Sequence, residues 1–173
     1  GSVWFLQQYL RDQRAIDAQV EGMAALEAGD YKSAVAKLAM ASARFPNDVE
    51  LLLAFADARG RVESPFGNHL QRCLNRYVLA VRLCKQQNLP DELLLKALIG
   101  RGRLEQIFGQ ATRLKDSASE ILEIDSSNVE ANEYLLQLAY RTGDYLPADP
   151  GLVVCGDRTD AEWRDVLRDA GDD

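Results

Sequence analysis

Histidine occurs once in this 173-residue chain, at position 69, and cysteine three times, at positions 73, 84 and 155. A single imidazole rules out a histidine-rich metal site and leaves any serine or cysteine triad with only one candidate base. Three scattered cysteines do not make a disulfide framework, and a reducing compartment is the simplest reading. No run approaches the roughly 18 to 20 apolar residues that span a bilayer. Five prolines and twelve glycines exclude a collagen-like or low-complexity composition. Nucleotide-binding loops are lacking as well. Gly100-Arg101-Gly102 has Glu105 where a third glycine would stand, and it follows a helical pattern, so the packing reading of Gly102 is preferred. Neither a P-loop nor a nucleophile elbow occurs. What the chain does have is 47% apolar and 27% charged residues, enough for a substantial core in one domain or a short repeat array.

The remaining chemical candidates are weak. His69 and Cys73 stand one helical turn apart, which is half a zinc site, but Cys84 lies 11 residues further on and no companion pair has ligand spacing. A buried cysteine stripe with a histidine at its edge is the simpler reading, and no cofactor is expected. Glu120 and Glu123 sit on a charged helix face, where solvation is far commoner than acid–base catalysis.

Helical periodicity dominates the rest. Ile16, Val20, Met23 and Ala24, then Ala34, Val35, Leu38, Ala41 and Phe45, recur at helix spacing, with Ala28-Gly29-Asp30-Tyr31 as the turn between them. Pro46-Asn47-Asp48 ends the hairpin, because proline disfavours helix in the residue before it. Gly22, Gly29-Asp30-Tyr31, Ala34, Leu38, Ala41 and Pro46 fall at the spacing of the tetratricopeptide repeat, a helix-turn-helix of about 34 residues, and the chain resembles that family. A frame on 15–48 recurs at 95–128, where Gly102 and Gly109 replace Gly22 and Gly29, and a half-copy follows at 129–145 with Gly143-Asp144-Tyr145 as its turn. The unit between, 49–94, carries an insertion. Its helices are expected from Val49 to about Arg59 and from about His69 to Gln87, joined by a loop at 60–68, and Asp91 is a candidate cap for the helix that follows.

The resemblance implies an all-α, right-handed α-solenoid of about three and a half antiparallel helical hairpins over 3–145. Pro147 and Pro150 stop the array. Residues 146–173 are expected to form an acidic tail whose capping helix, about 160–169, starts at a Thr159/Glu162 capping box. A tether to a further domain is the rival reading of this tail. Gly1-Ser2 in place of an initiator methionine reads as a cloning remnant, so sequence upstream is expected. Val3-Trp4-Phe5-Leu6 is either the start of an amphipathic helix or the trimmed end of a membrane segment, and membrane contact is expected only in the second case. The expected compartment is the cytoplasm, or the soluble part of a membrane-anchored protein.

Charge is uneven along the chain. The net −7 conceals a basic middle, residues 59–103, with nine Lys/Arg against three Asp/Glu, while residues 144–173 hold three against nine. The family resemblance implies a non-enzymatic scaffold or adaptor that binds a peptide or another protein in a concave groove. By frame, the family's carboxylate-clamp positions fall on Gln19, Met23, Ala54, Lys96 and Gly100, of which only Lys96 fits, so a clamp for an acidic C-terminus is not expected. Other groove positions are Glu50, Asp57, Arg103, Glu133, Gln137, Tyr140 and Arg141. A second candidate surface is the basic patch of Arg59, Arg61, Arg72, Arg76 and Arg101, flanked by Arg103, which suits an acidic protein or the chain's own tail in self-association. Nucleic acid is disfavoured, since the overall charge is negative and no aromatics are interleaved with the arginines. A regulatory or positioning segment of a larger protein is the alternative from another class.

Overall fold

The computed structural model describes residues 2–62 and 68–142. These form seven helices: α1 (Ser2–Glu27), α2 (Tyr31–Arg44), α3 (Val49–Gly60), α4 (His69–Gln87), α5 (Asp91–Ile107), α6 (Ala111–Ile124) and α7 (Val129–Thr142). There is no strand among the described residues. The loop residues 63–67, the turn at Gly143, the acidic tail and its capping helix lie outside them. The chain divides into two compact units, Gly1–Leu138 and Ala139–Asp173, and of the second only the end of α7 is described.

Local chemistry sets the helix ends. Asp30 and Asp48 accept hydrogen bonds from the backbone N–H groups of Ser33 and Leu51, at 3.2 and 3.0 Å, and so cap α2 and α3. Asn128 does the same for Ala131 at the start of α7, at 3.1 Å. Gly29 and Gly109, which end α1 and α5, have φ of 78° and 65°, a left-handed conformation that admits glycine at least cost. Asn88 takes the same conformation after α4, with φ of 49°. The cap of α5 differs from the sequence expectation. Pro90 occupies the cap position and Asp91 is the first helical residue, where its charge faces the positive end of the helix dipole.

Packing then joins the hairpins. Ala18, Ala34, Leu38 and Ala41 of the first hairpin bury against Leu51, Ala54, Phe55 and Ala58 of α3. A second cluster runs from Val49, Leu52 and Leu53 through Val81 and Cys84 to Leu98, Leu114, Ile121 and Tyr134. Helix α3 belongs to both clusters, which explains why Leu51 to Ala56 are buried without a break. Close approach depends on glycine at two crossings. A Cβ on Gly22 would lie 2.8 Å from Leu38 Cγ, and one on Gly102 would lie 2.8 Å from Tyr134 Cε2. The result is an all-α solenoid of helical repeats. The first two turns of α1 are less covered: Val3, Trp4, Phe5, Leu6 and Tyr9 are all exposed. No helix among the described residues is long and apolar enough to cross a membrane.

Candidate functional site: a groove and an arginine cluster

Helices α1, α3 and α5 line a groove of about 630 Å³. Its apolar surface comes from Met23 and Leu26 of α1, Leu53 and Ala54 of α3, Tyr77 of α4, and Leu93 and Ile99 of α5. Gly100 lets the Tyr77 ring lie against α5, since a Cβ there would come within 2.6 Å of Tyr77 Cδ1. Burial, aided by the nearby Asp57 carboxylate, pushes the Tyr77 phenol up to about 12. The ring is therefore a neutral, fixed part of the wall.

Four charges of the groove sit at matching places on two helices, and a fifth, Glu130, comes from α7. Glu50 and Asp57 belong to α3, and Lys96 and Arg103 belong to α5. Asp57 accepts from Arg61 at 3.1 Å, and Arg103 donates to Glu130 at the same distance. Glu50 and Lys96 have no salt-bridge partner among the described residues and are both exposed. Four sequence candidates, Glu50, Asp57, Lys96 and Arg103, thus line one cavity. So do four of the five frame positions, Met23, Ala54, Lys96 and Gly100; Gln19 does not. Glu133 and Gln137 lie on α7 outside this cavity, and Gln137 accepts a hydrogen bond from Gln106. Tyr140 and Arg141 are exposed in the last turn of α7. Leu26, Leu53, Tyr77, Leu93, Ile99 and Glu130 escaped the sequence reading.

The arginines separate into two groups. Arg101 is largely buried between α5 and α6, where it donates to Ser117 Oγ and to Glu120, each at 2.9 Å, and faces Glu105 at 3.6 Å. Glu105 is 3% exposed and its carboxyl is pushed up by burial, against the opposing pull of Ser117 and Arg101. For Glu120 burial also pushes upward, but hydrogen bonds from Lys85 and Arg101 outweigh it and leave the carboxylate below its ordinary range. Arg61 pairs with Asp57, donates to the Tyr31 hydroxyl at 3.2 Å and stacks over that ring. Arg59, Arg72 and Arg76 have no acidic partner among the described residues, and Arg76 feels the charge of the other two. His69 Nδ1 is buried without a partner, Cys73 and Cys84 are buried free thiols, and no metal-holding group of three or more ligands occurs among the described residues.

No protein-family model matches the chain, and no curated protein sequence does. Solved structures do match. The first TPR of Spaghetti (RPAP3) bound to the HSP90 peptide SRMEEVD aligns with a TM-score of 0.62 at 20% identity, over 76% of this chain and 95% of that one. The NMR structure of the first TPR domain of the human RPAP3 protein gives 0.59 at 19%, over 77% and 95%. At such identity the likeness concerns the fold, and the fold of this chain is that of a TPR-like helical repeat.

Proposed function

We propose that the protein is a non-enzymatic scaffold that holds a peptide or a segment of another protein in the groove between α1, α3 and α5. The observation that carries this reading is an apolar cavity flanked by two exposed charges of opposite sign, Glu50 and Lys96, that have no salt-bridge partner among the described residues. Its volume falls within the roughly 300 to 1,000 Å³ of ordinary ligand sites. The fold neighbour bound to an HSP90 peptide supports a peptide occupant in general. Met23, Ala54 and Gly100 at three frame positions argue for a segment with apolar anchors over one gripped by its terminal carboxylate. Lys96 and Glu50 then set its direction, by pairing with an acidic and a basic residue of the ligand.

A displayed peptide library selected on the parent protein tests this. The enriched peptides should share apolar anchors and lose at least about tenfold in affinity on Ala54→Arg, which fills the cavity, and on Lys96→Glu, which leaves the core untouched. Peptides that bind both variants as well as the parent would contradict the reading. A second reading, a positioning segment of a larger or membrane-anchored protein, is supported by the exposed Val3-Trp4-Phe5-Leu6 turn.

A further inference from the structure

Of the six arginines of the basic patch and its flank, Arg61, Arg101 and Arg103 are committed to carboxylates, and Arg59, Arg72 and Arg76 have no carboxylate partner among the described residues. Arg59 ends α3, and Arg72 and Arg76 lie in the first two turns of α4, so all three meet at the loop end of one hairpin. Arg76 lies over the Phe55 ring, 4.3 Å from its centroid, and donates to the Arg72 carbonyl at 3.3 Å. That contact fixes the central guanidinium, whose remaining donors meet no side-chain acceptor among the described residues. Burial, and then repulsion from Arg59 and Arg72, hold the Arg76 group below the ordinary arginine range. Three like charges around a half-buried centre oppose one another, and an added anion relieves that opposition. Asn68 makes no side-chain bond to the first turn of α4, so the positive end of that helix adds to the same field.

We propose that Arg59, Arg72 and Arg76 form a receptor for a short acidic segment of a protein partner, whose aspartate or glutamate carboxylates the guanidiniums grip in pairs. Arginine forks match carboxylates bidentately, and Arg76, held over Phe55, loses little side-chain freedom on binding. Residues 59–103, which carry the cluster, hold nine Lys/Arg against three Asp/Glu, so an acidic segment is drawn to this part of the chain. Bases would find no stacking surface at the cluster among the described residues, because Phe55 is 7% exposed beneath Arg76. The receptor shares no residue with the groove and stands or falls independently of it.

A fluorophore-labelled hexaglutamate peptide, followed by anisotropy on the full chain at low salt, tests the proposal. Binding should weaken by about tenfold in Arg59→Gln/Arg72→Gln, whose side chains lie outside the core, and should fall as salt rises. Arg76→Lys keeps the charge and loses the fork, so its affinity should lie between the two. Arg11→Gln/Arg14→Gln, at two exposed arginines in the first half of α1, removes the same charge and should leave binding within about twofold, which separates a local grip from overall charge. No binding by the parent, or equal binding by the double variant, would overturn the proposal. So would an oligothymidine of the same charge binding more tightly through these arginines, since the ligand would then be nucleic acid.

Discussion

Gly22→Ala places a methyl group at the crossing of α1 and α2. The new Cβ would sit 2.8 Å from Leu38 Cγ and Cδ2 and 3.1 Å from the Leu38 backbone nitrogen. Leu38 is fully buried, so its side chain has no open space to turn into, and a backbone atom yields only if the helices part. Overpacking of this kind costs about 1 to 3 kcal/mol, while alanine gains about 1 kcal/mol over glycine in helix propensity. The two effects oppose, and because the two closest contacts are to a fully buried side chain the clash should win, for a net loss of up to about 2 kcal/mol. Urea denaturation followed by circular dichroism measures it. A double-mutant cycle makes the cause visible. In a Leu38→Ala background the two closest contacts vanish and only the 3.1 Å approach to the backbone nitrogen remains, so the loss should shrink or reverse, a coupling of about 1 to 2 kcal/mol. If Gly22→Ala stabilises the parent protein, the close approach of α1 and α2 is wrong.

Three further outcomes follow from named groups. Asp48→Ala removes the cap on α3 and should cost about 1 kcal/mol by the same denaturation assay. Tyr77, raised to about 12, adds stability that is complete below the ordinary phenol value of 10 and is lost as pH climbs from there through 12. Ultraviolet titration of Tyr77→Phe against the parent should show one late-ionising phenol missing, and the variant's stability should decline less steeply above pH 10. Glu120 is depressed, so its contribution is present above the ordinary 4.5 and disappears as pH falls below it. Glu120→Gln should therefore lose about 1 kcal/mol at pH 7, after discounting for partial exposure, and progressively less as pH falls below 4.5.

Much of the scaffold was legible because its signals are local. Gly29 and Gly109 stand at the same place in two frames, and both adopt the positive φ that a tight turn between helices requires. Gly22 and Gly102 were readable as contacts for the same reason, since small residues recur at fixed spacing on one helix face. The groove was only half legible. Its charged rim, Glu50, Asp57, Lys96 and Arg103, follows from the frame, but Leu26, Leu53 and Ile99 look in sequence like any core residue. Periodicity says which way a side chain points, not whether the helix it points toward leaves a gap. Arg101 shows the same limit. It stands beside Arg103 in the chain, but its burial depends on Ser117 and Glu120, 16 and 19 residues away on the next helix. The register between α5 and α6 decides that pairing, and no local pattern encodes it.

Paramagnetic relaxation from a nitroxide fixed to a library-selected peptide tests the groove most directly. With methyl groups of the protein isotopically labelled, the account predicts signal loss at Met23, Leu53 and Ile99, with the methyls of Leu6, near the start of α1, and Met40, on α2, which are exposed and lie outside the cavity, much less affected. Broadening at Leu6 or Met40 with Met23 and Ile99 unaffected would place the bound peptide on another face and contradict it.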